Sequence, residues 1–238
     1  MDYSRQTLVM ALAVRSSSQN SSSTGTAITV AKPAGTTTGD FVVCIVQGNG
    51  QETLSDNNGA TPFTKATNFS DYKPNTSNGH VVSIFYRTIQ DGDPDTYAFT
   101  LSTSGRWGIV AIAYSGASIT FDVAPDTTNA ANEDDADDGT ISAPAITVAN
   151  NTIHTVFCGW DTGAIGTITT PGGYTLAENA NGGGEPLHAS YKAFAVGGST
   201  GAVSCVNSEW GAMIAGSFSV KENPATGYTS PFPSFRQP

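Results

Sequence analysis

The sequence predicts an all-β protein, a single antiparallel β-sandwich built from two similar sets of about five strands. Three observations lead to this fold class. Sustained helical periodicity is absent, short apolar or alternating segments are separated by turn-forming clusters, and one order of short motifs occurs twice along the chain.

The composition is consistent with an all-β protein and argues against two classes of partner, nucleic acids and membranes. The chain has 238 residues and a mass of 24.5 kDa, with only 13% charged residues and a net charge of −10. Because a negative protein repels the phosphate backbone, we expect no nucleic-acid partner. No apolar run approaches the roughly 18 residues that a membrane-spanning helix needs, so we expect no membrane partner either.

The chain begins with an apolar run at residues 7–14, and we interpret residues 1–13 as a strand or anchoring segment. The first five residues, MDYSR, carry no net charge, whereas a secretion signal begins with a positively charged region. A Ser- and Asn-rich stretch follows at residues 16–26 and predicts a long polar loop. That loop belongs to a sandwich domain that we place at residues 14–222.

Strand signals recur through this domain. Residues 41–46 and 108–114 are continuous apolar runs, typical of strands that are buried on both faces. Tyr97, Phe99 and Leu101 alternate with small or polar residues, which predicts a strand with one buried face. Clusters of Gly, Asn, Asp and Pro between such segments predict tight turns.

Short matches recur in the same order in the two halves of the chain. They pair residues 27–31 with 145–149, Cys44 with Cys158, Thr61-Pro62 with Thr170-Pro171, His80 with His188, and Trp107-Gly108 with Trp210-Gly211. We therefore predict repeats at about 27–116 and 145–220, joined by an acidic loop at 124–142. Neither set alone would bury both faces, so the two sets are expected to pack together as one sandwich.

Residues capable of chemistry form no known signature. Cys44, Cys158 and Cys205 are odd in number and widely spaced, which predicts buried free thiols rather than a disulfide framework or a zinc site. His80, His154 and His188 lie beside or inside strand-like runs, so we expect them to serve the scaffold. Without a nucleophile motif we expect no catalytic residues and no enzymatic activity.

Asp91, Asp93 and Asp95 alternate across a turn and are weak candidates for a Ca²⁺ site. The spacing lacks the closing glutamate of an EF-hand loop, so a turn is the preferred interpretation. The acidic residues at 133–138 also depart from that pattern and are interpreted as solvated loop. We expect no metal and no cofactor.

Aromatic residues offer a possible alternative, a platform for sugar rings. The positions of Trp107, Trp160 and Trp210 beside apolar strands favour the core instead. Tyr72 and Tyr174 stay open as surface candidates.

The C-terminal segment at 223–238 is rich in proline and aromatic residues, which predicts an extended arm. Tyr228, Phe232, Phe235 and Arg236 are its candidate assembly residues, because aromatic and arginine side chains are enriched at interfaces. The alternative is a tail packed on its own domain.

Several strand and turn phrases of this chain also occur together in a known group of proteins. They are VRSSS at 14–18, AITV at 27–30, PAG at 33–35, GDFVV at 39–43, FYR at 85–87, PDTYAFT at 94–100, IVAIAYSG at 109–116 and TPGGYT at 170–175. On these phrases the chain resembles bacteriophage virion structural proteins over about residues 14–220. It departs from them around Pro62, Phe63 and Thr64, where a tryptophan is common, and in the acidic loop and the arm.

The resemblance implies a jelly-roll-like sandwich without enzymatic activity, made in the host cytoplasm and located on the virion surface. The function it implies is capsid decoration, with the major capsid protein or other virion proteins as partners and a homo-oligomer as the expected state. The alternative is a tail-associated protein or a receptor-binding or carbohydrate-binding module that contacts host surface glycans.

Overall fold

A computed structural model describes most of the chain, and the described part is built from strands. The described residues are 11–49, 53–71, 80–117, 130–136, 139–161, 166–183, 185–209 and 211–222. Their single helical element is a 3-10 turn at Thr67–Phe69. Within these ranges, no helix has the length and apolar character needed to cross a membrane.

The described residues of the first half form eight strands. They are β1 (Ala13–Ser22), β2 (Ala27–Ala31), β3 (Phe41–Asn49), β4 (Leu54–Asp56), β5 (Thr64–Lys65), β6 (His80–Thr88), β7 (Thr96–Leu101) and β8 (Trp107–Ser115). They form a five-stranded sheet in the order β1-β8-β3-β6-β5 and a three-stranded sheet in the order β2-β7-β4. All their pairings are antiparallel.

Ten strands are formed by the part of the second half that the structure describes. They are β9 (Ala130–Ala136), β10 (Thr140–Ala143), β11 (Thr147–Val148), β12 (Thr152–Asp161), β13 (Ile168–Thr169), β14 (Thr175–Ala180), β15 (Leu187–Phe194), β16 (Gly198–Ser199), β17 (Val203–Asn207) and β18 (Gly211–Lys221). The larger sheet has the order β14-β15-β12-β18-β9, and the smaller ones are β10-β17-β13 and β11-β16.

The two halves share one strand order. Read from its other edge, the second large sheet is β9-β18-β12-β15-β14, which matches β1-β8-β3-β6-β5 position by position. In each half the chain passes repeatedly between large and small sheets, whereas β5–β6 and β14–β15 are consecutive strands of one large sheet. The predicted all-β antiparallel sandwich of two similar five-stranded sets is confirmed, and each large sheet carries small sheets in addition.

The main core lies between the two large sheets. Phe41, Val43 and Ile45 of β3 face Phe157 of β12 and Phe218 of β18, and all five are buried. The intervening residues of β3 point the other way, where Val42, Cys44 and Val46 pack against the small sheet. Because side chains alternate along a strand, a strand between two cores must be apolar on both faces. This explains the continuous apolar runs.

The Ser- and Asn-rich stretch predicted as a loop is largely strand β1, so that prediction is wrong. Its residues are polar because this edge strand bonds to backbone outside its own sheet. Ser16, Ser18 and Asn20 donate to the carbonyl oxygens of Ala34, Ala31 and Thr29 at 2.6, 2.5 and 2.8 Å. On the other face, Ser17 donates to the Ala177 carbonyl in the second half at 3.0 Å.

The acidic segment predicted as a loop at 124–142 also contains strand. Ala130–Ala136 forms β9 at the edge of the second large sheet and pairs with β18, and β10 begins at Thr140.

The cysteine prediction is wrong for two of three residues. Cys158 of β12 and Cys205 of β17 form a disulfide, with Cα atoms 6.4 Å apart, whereas Cys44 is free and buried. The bond joins the large sheet of the second half to the three-stranded sheet β10-β17-β13. Sequence spacing gave no sign of it, because the two strands are brought together only by the sheet order.

Candidate functional site

A buried polar site lies where the two large sheets meet at one end. Gln47 and Asn49 at the end of β3 approach Asp161 at the end of β12 and Glu185 just before β15. Gln47 and Glu185 are completely buried. We call this group, together with Arg106, the polar junction, since its members come from both halves of the chain.

The Glu185 carboxylate is the centre of the polar junction. It accepts hydrogen bonds from Gln47 Nε2 at 2.9 Å and from Asn49 Nδ2 at 3.1 Å. Arg106 Nε lies 3.5 Å from the same carboxylate, and Arg106 also pairs with Asp161 at 2.5 Å. A buried carboxylate is tolerated only when donors and an opposite charge surround it, and these side chains supply both.

A glycine makes the close approach at the junction feasible. A Cβ atom at Gly159 would overlap the Gln47 amide, so the absence of a side chain lets Gln47 reach the other sheet. Gln47 Nε2 also donates to the Trp160 carbonyl at 3.1 Å. Arg106 and the Asn49 amide contact the carboxylates of both Asp161 and Glu185. The polar junction therefore links the two halves of the chain.

The second half also buries two histidines between its sheets. His154 Nδ1 lies 2.7 Å from the Tyr174 hydroxyl, and His188 Nδ1 donates to Asn179 Oδ1 at 2.7 Å. Burial lowers the pKa of each to about 4, and the charge of Lys192 contributes to the shift at His154. Both are therefore neutral near pH 7, in keeping with scaffold roles, and the His80 side chain lies outside the part of the chain that the structure describes.

The candidate Ca²⁺ residues are not brought together. Asp93 is buried against Arg87, with which it forms an ion pair, while Asp95 is fully exposed and lies 3.3 Å from Lys32. Asp91 is exposed in the turn. In the described part of the chain, no group of three or more His, Cys, Asp or Glu side chains is placed to hold a metal ion.

The aromatic candidates divide between core and surface. Trp107 and Trp160 are buried, at 4% and 0% exposure, which rules them out as exposed sugar platforms. Tyr174 is half-buried, and Lys192 Nζ lies 5.8 Å from its ring centre. Tyr72, Trp210 and the arm residues Tyr228, Phe232, Phe235 and Arg236 lie outside the described residues.

A groove of about 230 Å³ lies at the end of β12 and β15. Its walls include Leu12, Ile153, Phe194 and Glu222, and we call it the terminal groove. Leu12 and Ile153 also pack on the central core, so the apolar floor is continuous with that core. Sequence reasoning missed this feature, because its walls come from distant parts of the chain with no common motif.

Comparisons with known proteins add no relative. No protein-family model matches the sequence, and neither a curated protein nor a solved structure matches it. The function is therefore inferred from the strand and turn phrases of the sequence and from the geometry of the molecule.

Proposed function

We propose that this chain is a non-enzymatic structural protein of a bacteriophage virion, and specifically a capsid decoration protein. One structural observation carries the proposal. Ala11, Leu12 and Glu222, where the described chain begins and ends, line the same terminal groove. The described chain therefore begins and ends at one end of the body, which supports anchoring at that end while the remainder projects.

The architecture supports this role. A protein on a particle surface must stay folded without cofactors, and here two large sheets share a central core that is reinforced by the polar junction. The arm provides three aromatic side chains and one arginine in a short segment, a composition suited to binding neighbouring subunits. The resemblance to virion proteins is the second support.

The test is the copy number of this chain in purified particles. Quantitative mass spectrometry would measure it against the major capsid protein in particles from cells that produce the chain. We expect hundreds of copies, because a decoration protein follows the symmetry of the capsid lattice. A handful of copies would favour the tail-associated or receptor-binding alternative, and absence from particles would overturn the virion assignment.

A deletion tests the anchoring part of the proposal. Particles assembled with a chain lacking residues 223–238 should contain much less of it than particles assembled with the full chain. A matched control is Val196→Ser, because Val196 is 76% exposed and does not line the terminal groove. Equal incorporation of the truncated chain would contradict the role of the arm.

A further inference from the structure

The terminal groove has the size and chemistry of a docking site for an aromatic side chain. Leu12, Ile153 and Phe194 provide apolar walls, and Ala193 leaves space beside them. A cavity of about 150 Å³ can hold benzene, so a groove of about 230 Å³ has room for a phenyl ring. Glu222 adds a carboxylate to the apolar walls.

The arm carries the complementary chemistry. Residues 223–238 contain Phe232 and Phe235, and Arg236 is their single charged side chain. A phenyl ring suits the apolar walls, and a guanidinium suits the Glu222 carboxylate. The sequence therefore contains a segment whose chemistry matches that of the terminal groove.

Chain length and proline content favour a neighbouring copy over the arm's own groove. The arm starts at the groove, because Glu222 is one of its walls. The ten residues from Glu222 to Phe232 span up to about 33 Å when extended. Pro231 and Pro233 flank Phe232 and favour an extended backbone, which carries the ring away from its starting point.

We propose that the terminal groove receives Phe232 from a second copy of this chain, and that Arg236 of that arm pairs with Glu222. Two copies that exchange arms fill both grooves, which gives a closed two-fold dimer. The proposal extends the anchoring role of the arm under the proposed function by naming the surface that receives it. It is tested on the purified full-length protein, independently of any particle.

The test is a crosslink between two differently tagged full-length variants, Ala193→Cys and Ser234→Cys, the second of which keeps the Phe232 ring. After mixing and mild oxidation we expect a covalent dimer that contains both tags. Cys44 is buried and Cys158 is bonded to Cys205, so the introduced thiols are the accessible ones. The matched control replaces Ala193→Cys by Leu176→Cys, which is 44% exposed on β14 and outside the groove.

Further variants distinguish a groove filled by the arm of the same chain from one filled by the arm of a second copy. A chain carrying both Ala193→Cys and Ser234→Cys, oxidised at high dilution, would form an internal crosslink if each arm filled its own groove, and that result would overturn the proposal. Lack of the mixed dimer would also overturn it. In light-scattering measurements, Ala193→Trp and Phe232→Ser should each raise the dimer dissociation constant at least about tenfold, since each removes the central contact.

The two proposals fail in different ways. A mixed dimer from a chain that is absent from particles would preserve the arm exchange and reject the virion role. Conversely, many copies per particle without the mixed dimer would preserve the virion role and reject the exchange.

Discussion

At the scale of single residues, the buried histidines make the second half sensitive to acid. His154 and His188 have folded-state pKa values of about 4 because burial disfavours the charged ring. In the unfolded chain the pKa is about 6.5, so the unfolded state binds more protons as pH falls below that value. Stability is therefore complete near pH 7 and decreases as pH falls from about 6.5 towards 4.

We predict that acidification from pH 7 to pH 5 lowers the free energy of unfolding by about 2 kcal/mol for each of the two histidines. Urea unfolding at the two pH values measures this loss. His154→Gln and His188→Gln should each reduce the pH dependence, because glutamine does not titrate. A full-length protein whose stability is unchanged between pH 7 and pH 5 would contradict the neutral buried state of these rings.

At the scale of strands, the sequence predicted the fold class because apolar runs and alternation report burial directly. The repeated motifs indicated equivalent positions in the two halves, and Thr61-Pro62 and Thr170-Pro171 do precede the equivalent strands β5 and β14. Neither the strand order nor the register could be inferred from them. Cys44 pairs with Phe85 and Ala111, and Cys158 pairs with His188 and Ala215, so the counterpart of His188 is Phe85 and not His80.

Polar strands show a second limit of sequence reasoning. Strand β1 lacks an apolar face, since Ser18 bonds to a carbonyl of β2, Ser16 to the Ala34 carbonyl that follows β2, and Ser17 to a carbonyl of the second half. Composition alone cannot distinguish such a strand from a loop, because the partners are supplied by distant residues. The polar junction was missed for the same reason, as Gln47 and Glu185 are far apart in sequence and meet only in the folded chain.

The disulfide leads to a prediction for the second half. It closes a loop with a sequence separation of 47, and loss of such a crosslink costs about 4 kcal/mol through the entropy of the unfolded chain. Cys158→Ser combined with Cys205→Ser should lower stability by about 3–4 kcal/mol in thermal or urea unfolding. The control is Cys44→Ala, which removes a buried thiol without breaking a crosslink and should cost clearly less. Equal losses would contradict a structural disulfide.

At the scale of the whole molecule, the two halves depend on each other. The inner faces of both large sheets are apolar, and Phe69 and Phe157 make an edge-on contact across them with ring centres 5.2 Å apart. Separation would expose this core together with Glu185 and its donors. The free energy of association therefore contains a large hydrophobic contribution and a smaller contribution from the polar junction.

We predict that the halves stay together after the connection between them is cut. A protease site inserted within residues 118–129, which join the halves, would produce two fragments, and these should co-elute in size-exclusion chromatography under native conditions. Glu185→Gln should lower the urea concentration at which the cut fragments separate. It replaces an acceptor by an amide that faces the donor groups of Gln47 and Asn49, at a cost of about 2–3 kcal/mol.

The matched control for this variant is Glu178→Gln, since Glu178 is only half-buried and accepts one bond, from Ser17 at 3.1 Å. Its effect should be below about 1 kcal/mol, because solvent can replace that bond. If the cut fragments of the unsubstituted chain separate in native buffer, the central core does not hold the halves together. If Glu178→Gln weakens association as much as Glu185→Gln, burial of the junction carboxylate is not what stabilises the contact.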